Sequence, residues 1–181
     1  MPRNKSKNID SLLENIKNID ILPSHVVVSA IQELSHYQRL DWKTVLLPLL
    51  DYHDKIIAGS VLSVLCIHYN QRKSLSEQII KHASTYLPDE SDNELQFVAI
   101  LQLESLAISD KNYRRILQDI AENYYIFQGQ SDALSKNISA WESVAKLGGI
   151  TISEEEKNEL FWNFKSERSN AIRDRIRKSF V

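Results

Sequence analysis

The residues with chemistry to offer are few and scattered. The five histidines are His25, His36, His53, His68 and His82. No two of them stand four residues apart and none falls in a His-Glu-x-x-His pattern, so no pair of imidazoles shares a helix face in the way a helical zinc site needs. One cysteine, Cys66, builds neither a thiolate zinc site nor an intrachain disulfide. Cys66 and His68 follow the apolar positions Val61, Val64 and Leu65. Both are expected to be structural, the thiol inert in a helical core and the imidazole partly buried. A nucleophilic thiol needs a base and a polarising environment beside it, and the local sequence offers neither.

Two fragments imitate the motifs of serine acylases. Ser143-Val144-Ala145-Lys146 fits S-x-x-K and Ser91-Asp92-Asn93 fits S-D-N, but their order is reversed and no K-T-G follows. Gly148-Gly149 lacks the Lys and Ser/Thr of a phosphate loop. The run Glu154-Glu155-Glu156 invites a reading as paired carboxylates. After Ser153, however, it has the form of a helix start, where carboxylates meet the positive end of the backbone dipole. We therefore expect no catalytic residues, no metal and no cofactor.

Elements that would position these residues are helical nearly throughout. Glycine and proline number four each in 181 residues, too few for a turn-rich sheet protein. Apolar spacing predicts about ten helices, within a range of nine to eleven. Asp10 is read as the cap of the first. Pro23-Ser24 starts a second over 24–37, and Asp41 caps a third in which Pro48 predicts a kink or tighter turn. Asp54 opens a fourth over 54–69, and Ser74 with Glu77 has the spacing of a capping box for a fifth. The sixth, over 93–109, is apolar on most of its circumference and should be central. Asp110, Asp132, Ser153 and Ser169 open the rest, and Gly148-Gly149 ends the eighth. Val26-Val27-Val28 and Ile150-Thr151-Ile152 have strand-like composition but no partner strand nearby.

Grouped in pairs, the helices form antiparallel hairpins starting near residues 10, 41, 74, 110 and 153. Two-helix units at intervals of 31 to 43 residues are the mark of an α-solenoid. The unit Leu46-Leu47-Pro48-Leu49-Leu50-Asp51-Tyr52-His53-Asp54, continuing Lys55-Ile56-Ile57-Ala58-Gly59-Ser60-Val61-Leu62-Ser63-Val64-Leu65, resembles a HEAT-repeat hairpin. It has the LLPLL-like first helix, the aspartate at the turn and the small, apolar second helix. The arginine typical of that second helix has no clear counterpart; Lys55 is the nearest charge. The stretch Pro88 to Leu106 is a looser match. The resemblance implies an all-α fold, a single domain over 1–181 built as a short HEAT-like solenoid. An irregular helical bundle is the alternative.

Net charge is −2, distributed as +2 over 1–87, −8 over 88–159 and +4 over 160–181. No overall basic excess favours nucleic acid. Neither a leader-like apolar segment nor a span of roughly 18 apolar residues occurs, so the expected location is cytoplasmic, with no membrane partner. Size, helical class and acidity resemble those of the HEAT-like members of the small bacterial immunity proteins, non-enzymatic inhibitors of toxin domains. That resemblance implies a cognate toxin with a basic, nuclease-type surface as partner. A general helical-repeat adaptor is the alternative, and a helical-repeat enzyme acting on nucleic acid is disfavoured by the acidic middle. Candidate partner-binding residues are Asp89, Glu90, Asp92 and Glu94, entering the sixth helix, extended by Glu104 and Glu142 if they face the same side. The last helix surrounds Ile172, Ile176 and Phe180 with Arg168, Arg173, Arg175, Arg177 and Lys178, the pattern of either a capping helix or a cationic contact surface.

Overall fold

The computed structural model describes residues 3–37, 41–85, 93–123, 131–163 and 165–180. Among these residues there are ten α-helices, one 3-10 turn and no strand. The chain is all-α, and Val26-Val27-Val28 lies inside a helix because its valines fall on a helical stripe. Where the sequence suggests one continuous array, the contacts divide the chain into two compact units, Met1–Leu75 and Ser76–Val181.

The first unit contains α1 (Arg3–Lys17), α2 (Ser24–Leu34), α3 (Trp42–Val45), the 3-10 turn Leu47–Asp51 and α4 (Lys55–Ile67). Helix α1 starts well before Asp10, so Asp10 is an exposed interior residue of that helix and not its cap. Pro48 does force a tighter turn. Lacking an N–H and fixed in φ, it sits early in the 3-10 segment, whose Leu50 is buried. Asp54 caps α4, its Oδ1 accepting from the backbone N–H of Ile56 at 2.9 Å and of Ile57 at 3.2 Å. The core is Leu12 and Ile16 of α1, Val27, Ala30, Ile31 and Leu34 of α2, Leu46 and Leu50, and the inner face of α4 from Ile57 to Leu65. Helix α2 packs against both α1 and α4, and α4 against the 3-10 turn.

The second unit contains α5 (Ser76–Ser84), α6 (Asn93–Ala107), α7 (Lys111–Asn123), α8 (Ser131–Leu147), α9 (Glu154–Trp162) and α10 (Glu167–Ser179). Two expected starts move. Ser74 caps nothing: its hydroxyl donates back to the Gln71 carbonyl at 2.9 Å, and α5 begins two residues later. The last helix is capped by Ser166, whose Oγ accepts from Ser169 N–H at 3.0 Å, leaving Ser169 buried within the first turn. Asp132, the expected start of the eighth helix, lies one residue inside α8, and three other signals act where the sequence places them. Asp110 Oδ1 accepts from Asn112 N–H at 2.8 Å. Ser153 and Glu156 form a reciprocal capping box. Gly149 adopts φ +74, the left-handed conformation that ends α8, and Ile150 N–H reaches the Ala145 carbonyl at 2.8 Å. Gly148 answers a different need. A Cβ there would lie 2.3 Å from Ser179 Oγ, so a side chain would push the end of α10 away.

Helix α6 is central to this unit, as its nearly all-round apolar sequence predicts, packing against α5, α7 and α8. Leu95, Ala99, Ile100, Leu103 and Leu106 are buried there, facing Leu117 of α7 and the fully buried Trp141 among the core residues of the unit. Helix α10 closes on α8 and α9 through Ile172 and Ile176.

Candidate functional site

Of the six candidate carboxylates, Asp89, Glu90 and Asp92 lie outside the described residues. Glu94 is exposed in the first turn of α6, a position its charge favours. Of the two extensions, Glu104 is not open surface and Glu142 is partly so. Glu104 is buried, its side chain only 10% exposed, because it turns towards α8. Ser143 Oγ donates to its Oε2 at 2.8 Å and Lys146 Nζ to its Oε1 at 2.5 Å. The S-x-x-K fragment thus supplies a hydroxyl and an ammonium that bind a carboxylate, tying α8 to α6. The Glu104 hydrogen bond and charge hold the Lys146 ammonium above its usual pKa, so it stays charged. Glu142 is partly exposed and pairs with Lys157 at 2.6 Å.

Lys157 bridges Glu142 of α8 and Glu154 of its own helix, both at 2.6 Å, and these two hydrogen bonds raise its pKa. Glu155 pairs with Arg168 at 2.7 Å and Glu156 with Arg175 at 2.7 Å. The three consecutive glutamates therefore share a helix start and hold three cations. Arg175 dominates in keeping the Glu156 carboxyl below its ordinary value, against partial burial and with help from the Ser153 cap. Arg177 makes a two-pronged contact with Glu122 of α7, Nε to Oε1 at 2.9 Å and Nη2 to Oε2 at 3.0 Å. Its guanidinium also lies 5.6 Å from the centroid of the Trp141 ring. That pairing lowers the Glu122 pKa, against burial. Arg173 is buried and donates to Asn170. Four of the five cations flagged in the last helix are thus engaged within the unit, and its apolar stripe faces inwards. These pairs and the buried Ile172 and Ile176 fasten α10 to α7, α8 and α9.

The first unit places its polar groups differently. Ser24 donates to Asp54, and Tyr52 Oη donates to Asp20 at 2.8 Å, an acceptor that pushes the phenol up to about 12. Asp54 sits below its ordinary value. Burial works against this, but the hydrogen bonds from Ser24 and from the Ile57 and Ile56 N–H groups outweigh it. Cys66 is buried, and desolvation pushes its thiol up to about 11, so almost no thiolate exists near neutrality. His68 departs from expectation. It ends α4 as the C-terminal cap residue and is exposed, with the His36 ring edge-on at a centroid distance of 6.3 Å. His68 keeps helical register, its N–H bonding the Val64 carbonyl at 2.9 Å, yet the imidazole stays exposed at the end of α4.

No group of three or more histidine, cysteine or acidic side chains able to hold a metal occurs among the described residues. Among them, too, no helix is long and apolar enough to cross a membrane. The sequence offered no signal for the Glu104–Ser143–Lys146 cluster or for Glu122–Arg177, whose partners lie 39 to 55 residues apart. Compared with family models, curated proteins and solved structures, the chain matches none.

Proposed function

We propose that this chain is a non-enzymatic, protein-binding helical-repeat protein that neutralises a cognate toxin domain by covering its active site. The observation that carries the reading is the packing order. Helix α1 packs on α2, α4 on the 3-10 turn before it, α5 on α6, α7 on α8 and α9 on α10, and within each unit α2 touches α4, α6 touches α8 and α8 touches α10. Hairpins stacked this way expose a row of second helices, and in such scaffolds function resides on the presented surface. Burial of Glu104 against Ser143 and Lys146 takes it out of the acidic contact, which we place at the entrance of α6, where Asp89, Glu90, Asp92 and Glu94 provide four carboxylates in six residues. A cationic, nuclease-type surface is the complementary partner, steered by long-range attraction.

The test pairs the purified chain with candidate basic toxin domains and follows association kinetics. Reversal of charge at Asp89, Glu90 and Asp92 should slow association, and the slowing should fade as salt is raised. Unchanged affinity and unchanged salt dependence would remove this surface from the proposal.

A further inference from the structure

The outward face of α6 carries an apolar stripe. Phe97, Leu101 and Ile108 are 44%, 39% and 63% exposed. At 3.6 residues per turn, positions 94, 97, 101, 105 and 108 fall within about a quarter of the helix circumference. The Ile108 N–H bond to the Glu104 carbonyl, 3.2 Å, keeps Ile108 in helical register just past the end of α6. The stripe is also polar end to end. Exposed Glu94 stands at its start. At its far end Arg114 folds back, Nε donating to the Ala107 carbonyl at 2.8 Å and Nη2 to the Ile108 carbonyl at 3.1 Å.

An acid, three apolar side chains and a guanidinium in that order make a surface complementary to itself under a two-fold rotation. With two copies antiparallel, Glu94 of each meets Arg114 of the other, Phe97 meets Ile108, and Leu101 lies beside the axis. A parallel arrangement would set Glu94 against Glu94. We propose that α6 is a self-association face through which two copies of this chain form an antiparallel, two-fold symmetric dimer. The stripe is about 21 Å long at 1.5 Å per residue. A single helix pair of that length covers less than the roughly 800 Å² per partner of a stable complex, so the dimer is weak and depends on concentration. This proposal stands on the α6 stripe and Arg114; it shares Glu94 with the carboxylates assigned to a toxin partner, and Leu101→Asp tests the dimer without touching them.

Sedimentation of the full chain from about 1 to about 500 µM tests it, a range that brackets micromolar association. The weight-average mass should rise from 20.9 kDa towards twice that value. Leu101→Asp, at an exposed position, should weaken association by about tenfold or more while leaving the far-ultraviolet circular dichroism unchanged. Glu94→Arg should weaken it several-fold at low salt, and adding Arg114→Glu should restore it. Should the double variant fold poorly, Leu101→Asp decides the matter alone. A wild-type mass that stays at 20.9 kDa throughout would overturn the proposal. So would a dimer that survives Leu101→Asp, because the copies would then meet elsewhere.

Discussion

The two units bury similar apolar faces but tie their helices together with different chemistry. In Met1–Leu75 the described long-range polar links include hydrogen bonds with at least one neutral partner: Ser24 to Asp54, Tyr52 to Asp20, and Tyr69 Oη to the carbonyls of Leu34 at 3.1 Å and Tyr37 at 3.3 Å. In Ser76–Val181 they are mostly ion pairs, joining α10 to α7 and α9, and α8 to α6 and α9. The difference follows from composition. The first unit has a small positive excess spread thinly, whereas the second holds an acidic middle and a basic end that partly offset each other once α10 folds back. Unequal charge along a sequence is therefore no direct map of a binding surface.

The largest effects should not distinguish the units at all. Leu62 in α4 and Leu103 in α6 are fully buried, and Leu→Ala at either should cost about 2–5 kcal/mol, the usual range for a core cavity. Denaturant melts of both variants check this. A loss below about 1 kcal/mol at one site alone would mark that unit as loosely packed. Next comes Asp54→Ala, which removes the α4 cap and the acceptor for Ser24 together. We expect a loss of about 1–2 kcal/mol, with Asp54→Asn recovering much of it, because an amide oxygen still caps.

The ion pairs separate the two units more cleanly. Glu122→Gln should cost about 1 kcal/mol or less, because both partners are about one-third exposed, and the cost should shrink at high salt. The same substitution alters the acid limb. Folding holds the Glu122 and Glu156 carboxyls below the ordinary 4.5. Their contribution is complete above that value and disappears as pH falls through the depressed folded value. A pH titration of stability should therefore show a shallower acid loss in Glu122→Gln. An identical acid limb would mean that the pair contributes nothing. The smallest expected effect is at Cys66. In the folded chain its thiol should react with a disulfide reagent far more slowly than in denaturant, and Cys66→Ala should change stability without altering partner binding. Rapid reaction of the folded protein would contradict the burial.

Much of the helical framework was legible in the sequence because helix signals are local. Asp54, Asp110 and Ser153 cap what they were expected to cap, Pro48 tightens its turn, and Gly148-Gly149 stops α8. Errors fell where a local signal had a competitor. Ser74 and Ser169 resemble caps, but Gln71 and Ser166 supply the nearby partners that decide the geometry. His68 keeps the register of the apolar stripe, but at the end of α4 it is left exposed. Glu104 was misjudged for another reason: the edge of a helix is buried or exposed according to what packs against it, and α8 packs there.

By itself, then, the sequence determined that this chain is all-helical, roughly where most helices begin and end, and that α6 lies at a centre, since these depend on side chains within about one turn of each other or on the apolar fraction of one helix. Only the tertiary structure decided which charges pair with one another. Glu122 meets Arg177 across 55 positions, Glu104 meets Lys146 across 42, and Gly148 makes room for Ser179. Contacts at such separations carry no periodic signature. They arise when buried apolar faces fix the helix positions, and the charged side chains at the edges then pair with whatever that packing brings within reach.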